Sequence, residues 1–501
     1  MPGDNVHNDA PDANGLKLRT ARSLKWNVID RLLQQVLYAV TGIVLARELS
    51  QSDFGLVGAV LIFQAFAALL VDSGFSSALI QRKAPTRLDY SSVLWFNILV
   101  AAVLYVALWF AAPLIARCFE NDMRLVPLSR VMFISLILNA SAIVQTNRFM
   151  KAMNVRPVAV SNALGLVAGA AAGIWMAFNG YGAWAIVWQT IVSAGVKSLL
   201  LWITSRWIPL MRISWRSLKS FVPVGMGMMF TSFLNTVFLN LYSFFIGNRV
   251  GLVALGYYTQ SDKWSKMGIA SLSQILTSTF VPALSAVQDD TDRFRNMVRK
   301  MNRFTAYLLF PAMLGLMVIA TPLFHTLFGV KWDASIILFQ ILLVRGIFVV
   351  LNGLYSNYML ALGRSRAIVA MEIVRDAAAI VALAVTFPYM AMTTPSDPVY
   401  GVTILLYGQF AATVLSWIVA LVVVSRITGI AVHKFVTDNL PYLGLTAVAL
   451  IPAILLLYVD IRPWIILSVS VVASVVLYMV LNALLRSKMQ ADAIAYVRGR
   501  L

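Results

Sequence analysis

The chain has 501 residues, 60% of them hydrophobic and 12% charged, with 40 Lys and Arg against 21 Asp and Glu, where soluble globular chains carry roughly a quarter charged residues. That balance, with a mean hydropathy of +0.80, excludes a string of soluble domains and predicts an all-α polytopic membrane protein. One cysteine, Cys118, and three histidines, His7, His325 and His433, exclude a disulfide framework and a His- or Cys-rich metal site, and no G-x-x-x-x-G-K-[ST] string provides a P-loop; no cofactor and no metal are expected.

Residues 1–22 hold Asp4, Asp9 and Asp12 and no apolar h-region, which predicts a short disordered tail on the cytoplasmic side and not a signal peptide. A helix crossing the hydrocarbon needs about 20 apolar residues, and about fourteen such runs follow. Six of them, at 24–47, 54–80, 89–116, 127–147, 157–178 and 183–205, make an expected N-lobe of 23–219. Six more, at 220–246, 255–285, 304–328, 336–362, 367–388 and 400–425, make a C-lobe of 220–426. Two further spans, 440–459 and 464–485, occupy 427–486, and 487–501 is a second cytoplasmic tail. Breaks carry turn residues, as at Lys83-Ala84-Pro85 and Asn179-Gly180. The longest external loop, 389–399, leaves no room for an extramembrane catalytic domain, so no enzyme is expected.

Several spans carry patterns of their own. The first has a polar stripe, Asn27, Arg31, Gln34, Tyr38 and Thr41, at helical spacing. Gly165, Gly169 and Gly173 give the fifth a repeated G-x-x-x-G, a surface for close helix contact. The eighth repeats the polar stripe with Thr259, Lys263, Lys266, Ser273 and Thr277. Between spans eight and nine, 288–304 reads as an interfacial linking helix, with Asp289, Asp290 and Asp292 at its start and Arg299, Lys300 and Arg303 at its end, a basic face suited to anionic headgroups. Asp290-x-Asp292 also matches a glycosyltransferase metal motif, but no nucleotide-binding domain surrounds it.

Most Lys and Arg fall in alternate loops and at both ends, while external loops hold Arg47, Arg117, Arg124, Arg249, Lys331 and Arg462. The positive-inside rule then puts both termini in the cytoplasm, and the net charge of +19 needs no nucleic-acid partner to explain it. Inside spans, each charge costs about 2.5–3.5 kcal/mol to insert at mid-membrane. Arg31, Lys197, Lys263, Lys266 and Arg345 outnumber the acids near them and are candidate anion binders lining a water-filled cavity. Asp30, Asp72 and Asp262 are candidates for ion coupling or charge pairing. Glu372, Arg375 and Asp376, spaced i, i+3, i+4, suit a local ion cluster.

An internal repeat links the two lobes. Leu49 with Gly55-Leu56 resembles Val250 with Gly256-Tyr257, and Ser77-Ala78-Leu79 resembles Pro282-Ala283-Leu284. The strings at 46–56 (ARELSQSDFGL), 72–80 (DSGFSSALI), 255–258 (LGYY) and 280–285 (FVPALS) carry a wider likeness. Over about residues 20–430 the chain resembles the polysaccharide transporter (Wzx-type) family, in its colanic-acid-exporter-like branch, within the multidrug/oligosaccharidyl-lipid/polysaccharide exporter superfamily. The resemblance implies a flippase of the bacterial inner membrane. Its cargo would be an undecaprenyl-diphosphate-linked oligosaccharide, moved by alternating access through a cationic central cavity. Implied partners are that lipid-linked oligosaccharide, membrane lipids, a polysaccharide polymerase and chain-length machinery. Within the same superfamily, a lipid II-type flippase and a cation-coupled drug antiporter stay open as alternatives, the second needing an acidic cavity.

Overall fold

A computed structural model describes residues 13–72, 74–394 and 397–491. Among the described residues, seventeen α-helices and two short 3-10 turns make up the regular structure, with one isolated β-bridge between Thr394 and Asp397. Asp4, Asp9 and Asp12 lie outside the described residues, as do the end of the C-terminal tail and Ser73, Pro395 and Ser396.

The expected spans correspond to helices in register, three of them broken in two. Span two is α2 (Gln51–Asp72) and α3 (Phe75–Gln81), separated at Gly74, whose φ of 67° favours glycine; a Cβ there would also strike the Gly225 carbonyl. Span four is α5 (Leu125–Met132) and α6 (Ile134–Lys151), and span nine is α11 (Thr291–Val318) and α12 (Ala320–Leu327). Among the described residues, twelve stretches are long and apolar enough to cross a membrane by length and composition, which makes this a multi-pass membrane protein. Two long helices, α10 (Leu252–Ser285) and α14 (Ser365–Thr386), are not among the twelve; both carry charges within their length.

Two expectations need correction. The first helix, α1, starts at Ala13 and runs to Glu48, so the second half of the expected tail is helical; past Pro11, the run Leu16-Lys17-Leu18-Arg19 contains no breaker. The segment 288–304 is no separate linker. The side chain of Asp290 accepts the Arg293 N–H at 3.0 Å as an N-cap, and α11 continues without interruption into the apolar span. No Gly or Pro occurs between Thr291 and Pro311, and one buried stripe (Phe294, Val298, Met301, Thr305) runs through the charged and the apolar parts alike. A change of polarity does not end a helix.

The chain divides into two compact units, 1–244 and 245–501, with the division inside α9 (Trp215–Arg249). In the first, α4 (Arg87–Cys118) opens with a capping box, in which Thr86 and Asp89 exchange side-chain-to-backbone bonds at 3.2 and 2.8 Å. Its core joins Phe75, Leu79, Leu94, Leu218 and Phe221. The glycine stripe of α7 (Arg156–Phe178) lies against α8 (Trp184–Ser205). A Cβ on Gly169 would sit 2.5 Å from the Gln189 carbonyl oxygen, and one on Gly165 would sit 2.7 Å from that of Ser193. In the second unit, α10 packs on α13 (Asp333–Ala361), where the buried Ser261 and Ser335 hydroxyls bond backbone carbonyls of Ser335 and Tyr257. Then α15 (Tyr400–Thr428) packs on α13 and α14, and α16 (Val432–Leu456) and α17 (Pro463–Leu484) pack on each other and on α11.

Candidate functional site

In the first unit the charges sit where α1, α7 and α8 meet. Asp30 is buried at 7% exposure and accepts from the Asn162 amide of α7 at 3.1 and 3.4 Å. Lys197, on α8, is half-buried and feels the Asp30 carboxylate through space without a direct ion pair. The α7 glycines set this arrangement, because a Cβ on Gly165 would lie 3.1 Å from the Lys197 Cβ. Small residues on one helix therefore fix where a charge on the next emerges. Arg31, one position past Asp30, points to a different face; it is exposed and has no ion pair among the described residues. Asp72 accepts the Ser76 hydroxyl across the break between α2 and α3.

In the second unit the same residue types meet different fates. Lys266 pairs with Asp262 one turn back at 2.6 Å. Lys263 is half-buried with its ammonium 5.5 Å from the Trp264 ring centroid, and no carboxylate pairs with it among the described residues. Arg345 on α13 donates from Nε to the Thr413 hydroxyl of α15 at 3.1 Å, and that hydroxyl donates onward to the Gln409 carbonyl at 2.8 Å. A neutral hydroxyl orients the guanidinium, and no carboxylate bonds it among the described residues. On α14, by contrast, Arg375 bonds both Glu372 and Asp376, the latter at 2.9 Å, so this trio forms a closed local cluster.

The candidate cations thus sort by company. Lys266 and Arg375 are paired to acids of their own helices. Arg31, Lys197, Lys263 and Arg345 are not in ion pairs among the described residues. Among the candidate acids, Asp262, Glu372 and Asp376 are each bonded to a basic side chain, while Asp30 and Asp72 are held by the neutral Asn162 and Ser76. Among the described residues no group of three His, Cys, Asp or Glu could hold a metal. Asp290 caps α11 and pairs with Arg293 at 3.1 Å, and Asp292 lies 3.8 Å from Arg295, so the D-x-D match is spent on the helix start.

Sequence reasoning missed Asp438. This acid of α16 is 6% exposed and holds two arginines of α11 at once: Arg299 by two bonds of 2.9 Å, and Arg303 from Nε at 2.9 Å and again from Nη2. The available signal was the Arg299/Arg303 spacing of four together with Asp438 as the lone carboxylate of α16, followed by no further charge up to Leu456.

Residues 44–337, more than half of the chain, match the family described as polysaccharide biosynthesis protein. That stretch includes Lys197, Lys263 and Lys266 and leaves out Arg31 and Arg345. The lipopolysaccharide biosynthesis protein WzxC of Escherichia coli (strain K12) is 26% identical over 334 residues, covering 66% of this chain and 68% of its own length. The succinoglycan biosynthesis transport protein ExoT of Rhizobium meliloti (strain 1021) is 26% identical over 312 residues, 62% of this chain and 63% of that protein. The teichuronic acid biosynthesis protein TuaB of Bacillus subtilis (strain 168) is 25% identical over 350 residues, with coverages of 68% and 71%. Among solved structures, the lipid II flippase MurJ in an inward closed conformation superposes with a TM-score of 0.72 at 13% identity, over 92% of this chain and 98% of that one. An inward-facing multidrug resistance transporter of the MATE family gives 0.59 at 15% identity, over 79% and 96%. At these identities the structural likeness speaks for the fold.

Proposed function

The chain belongs to the polysaccharide biosynthesis protein family, and on that premise we propose that it is a flippase for an undecaprenyl-diphosphate-linked oligosaccharide, the repeat unit of a polysaccharide or lipopolysaccharide. Such a headgroup cannot cross hydrocarbon unaided: diphosphate and sugar hydroxyls must keep hydrogen-bond partners throughout, and each one left bare costs several kcal/mol. One observation carries the reading. Arg31 and Lys197 in the first unit, and Lys263 and Arg345 in the second, bring positive charge into apolar helices with no acid bonded to them among the described residues. An arriving phosphate oxygen gives each a charge-assisted bond and offsets its cost of insertion. Lys266 contributes least, because Asp262 already shares its charge. A drug or metal cation would need free carboxylates instead. Asp262, Glu372 and Asp376 are bonded to cations, which leaves Asp30 and Asp72, held by the neutral Asn162 and Ser76, against four cations without a bonded acid among the described residues.

Transport proceeds by alternating access, with no bond made or broken. The distribution of Lys and Arg supports an inner-membrane protein with both termini in the cytoplasm. The lipid-linked unit is then handed to polymerase and chain-length machinery on the far side. Asp30, bonded to Asn162 and close to Lys197, is the carboxylate best placed to couple an ion to this cycle; Asp72 and Asp262 are engaged by Ser76 and Lys266. Reconstitution into proteoliposomes with a lipid-linked oligosaccharide tests the proposal. Wild-type protein should accelerate translocation, and the Arg31→Ala/Lys263→Ala double variant should lose most of that rate while folding normally. A double variant as fast as wild type would remove these cations from the site, and a wild-type protein that leaves the oligosaccharide in its starting leaflet would remove the cargo.

A further inference from the structure

Between α8 and α9 the chain runs through an irregular strap, residues 206–214, whose backbone is clamped to α4. The Arg87 guanidinium donates to the Ile208 carbonyl at 2.8 and 3.2 Å, and the Trp95 indole N–H donates to the Leu210 carbonyl at 2.9 Å. The Ser91 and Ser92 hydroxyls accept the Leu210 and Ser214 N–H groups, each at 2.9 Å. Trp207 turns inward to close the clamp; it is buried, with the Arg148 guanidinium 4.9 Å from its ring centroid. Irregular backbone beside hydrocarbon needs a partner for each polar group. Side chains of α4 supply such partners here, and Pro209 has no N–H to satisfy.

The clamp grips main chain and leaves the strap's own side chains facing outward. Ile208, Met211 and Trp215 are 72%, 84% and 76% exposed. Large apolar groups held in the open together mark a contact surface. Arg206, Arg212, Arg216 and Lys219 are exposed among them, and the sequence has no Asp or Glu between Asp122 and Asp262. That charge balance favours an anionic partner. A bilayer is within reach, because the strap leaves α8 at the end of one apolar stretch and enters α9, which carries the next. Apolar side chains, a tryptophan and clustered arginines on one short segment are the composition of an interfacial anchor.

We propose that residues 208–216 anchor the first unit in an anionic membrane surface. Ile208, Met211 and Trp215 enter the boundary between headgroups and acyl chains, and Arg212 and Arg216 meet lipid phosphates. A second copy of this chain or another protein seated on the strap would instead shield the apolar side chains from lipid and from water alike.

The test is fluorescence quenching of the full-length protein in liposomes. A Cys118→Ser background carries either Met211→Cys or Lys83→Cys, the latter at an exposed site of another loop in the same unit, and the new thiol is labelled with the NBD fluorophore. In vesicles of phosphatidylglycerol and phosphatidylcholine, lipids with a nitroxide at the top of the acyl chain should quench the Met211→Cys probe several-fold more than the Lys83→Cys probe. Aqueous acrylamide should give the reverse order. In pure phosphatidylcholine, or with Arg212→Glu/Arg216→Glu added, nitroxide quenching at Met211→Cys should fall by at least half. Elution at the wild-type volume in size-exclusion chromatography qualifies each variant, and the change of lipid tests the charge requirement without any mutation of the arginines. Equal nitroxide quenching at the two positions would overturn the proposal. So would quenching indifferent both to lipid charge and to the arginine pair. A Met211→Cys probe shielded from both quenchers would mark a face covered by protein and overturn it as well.

Discussion

Arg345 and Arg375 are both arginines in helices of the second unit, and their surroundings part completely. Arg375 lies between Glu372 and Asp376 of its own helix and bonds both. Arg345 meets a threonine hydroxyl from α15 and no carboxylate among the described residues. An arginine that brings its own acids is complete within one helix and has little left to offer a ligand. An arginine oriented by a neutral hydroxyl keeps its charge available, and on the proposed function that is where an anionic cargo would bind. The same division separates Lys266 from Lys263 on α10, and in the first unit it leaves Lys197 near Asp30 but unbonded to it.

The largest expected effect breaks the comparison at its scaffold. Gly169→Leu would drive a side chain into the Gln189 carbonyl and the Ser193 side chain, costing about 3 kcal/mol or more through overpacking. The α7–α8 pair that positions Lys197 should then separate, and the protein should fail to accumulate in membranes or lose most of its apparent melting temperature. Normal yield and melting for this variant would mean that the glycine stripe does not set the position of Lys197.

Next comes the comparison itself. Arg345→Ala removes charge-assisted bonds worth about 1.5–3 kcal/mol to a bound anion, so translocation should drop roughly 10- to 100-fold with melting nearly unchanged. Arg375→Ala should reverse the pattern, with lower melting because Glu372 and Asp376 lose their shared partner and a smaller effect on rate. Paired transport and melting measurements on the two variants decide it; matching profiles would erase the distinction between structural and cargo-holding arginines. A smaller, few-fold effect is expected for Asp30→Asn, which keeps a hydrogen-bonding group toward Asn162 and removes the charge near Lys197. Its rate should lose dependence on an imposed pH or sodium gradient, and full retention of that dependence would exclude Asp30 from coupling.

How much of this was readable beforehand depended on sequence distance. The α7 glycines were legible because four-residue spacing is itself the packing surface, and the α14 cluster was legible because its partners lie within one turn. Arg345 could be singled out as a charge in an apolar run, but its partner Thr413 lies 68 positions away, and no local spacing encodes that bond. Asp438 went unnoticed for the same reason, with partners 135 and 139 positions off. The start of α11 was misplaced for a different reason. Charge was taken as a boundary, whereas backbone hydrogen bonding is indifferent to side-chain polarity and stops at caps and breakers.

The smallest predicted change is the sharpest use of the comparison, because it compares two lysines three positions apart on one helix. Lys266→Gln removes an ion pair whose lysine is 48% exposed, and such pairs contribute about 0–1 kcal/mol. Its translocation rate should stay within about twofold of wild type. Lys263→Gln, on the same helix and with the same change of chemistry, should cost far more, since Lys263 lies near Trp264 and has no bonded acid among the described residues. Both variants remove one positive charge from the same helix, and the Lys266–Asp262 pair lost in one of them contributes little at this exposure, so the availability of the ammonium is the main difference between them. Equal rates for the two would show that an acid neighbour does not decide which cation holds cargo, and the division drawn between Arg345 and Arg375 would then need another cause.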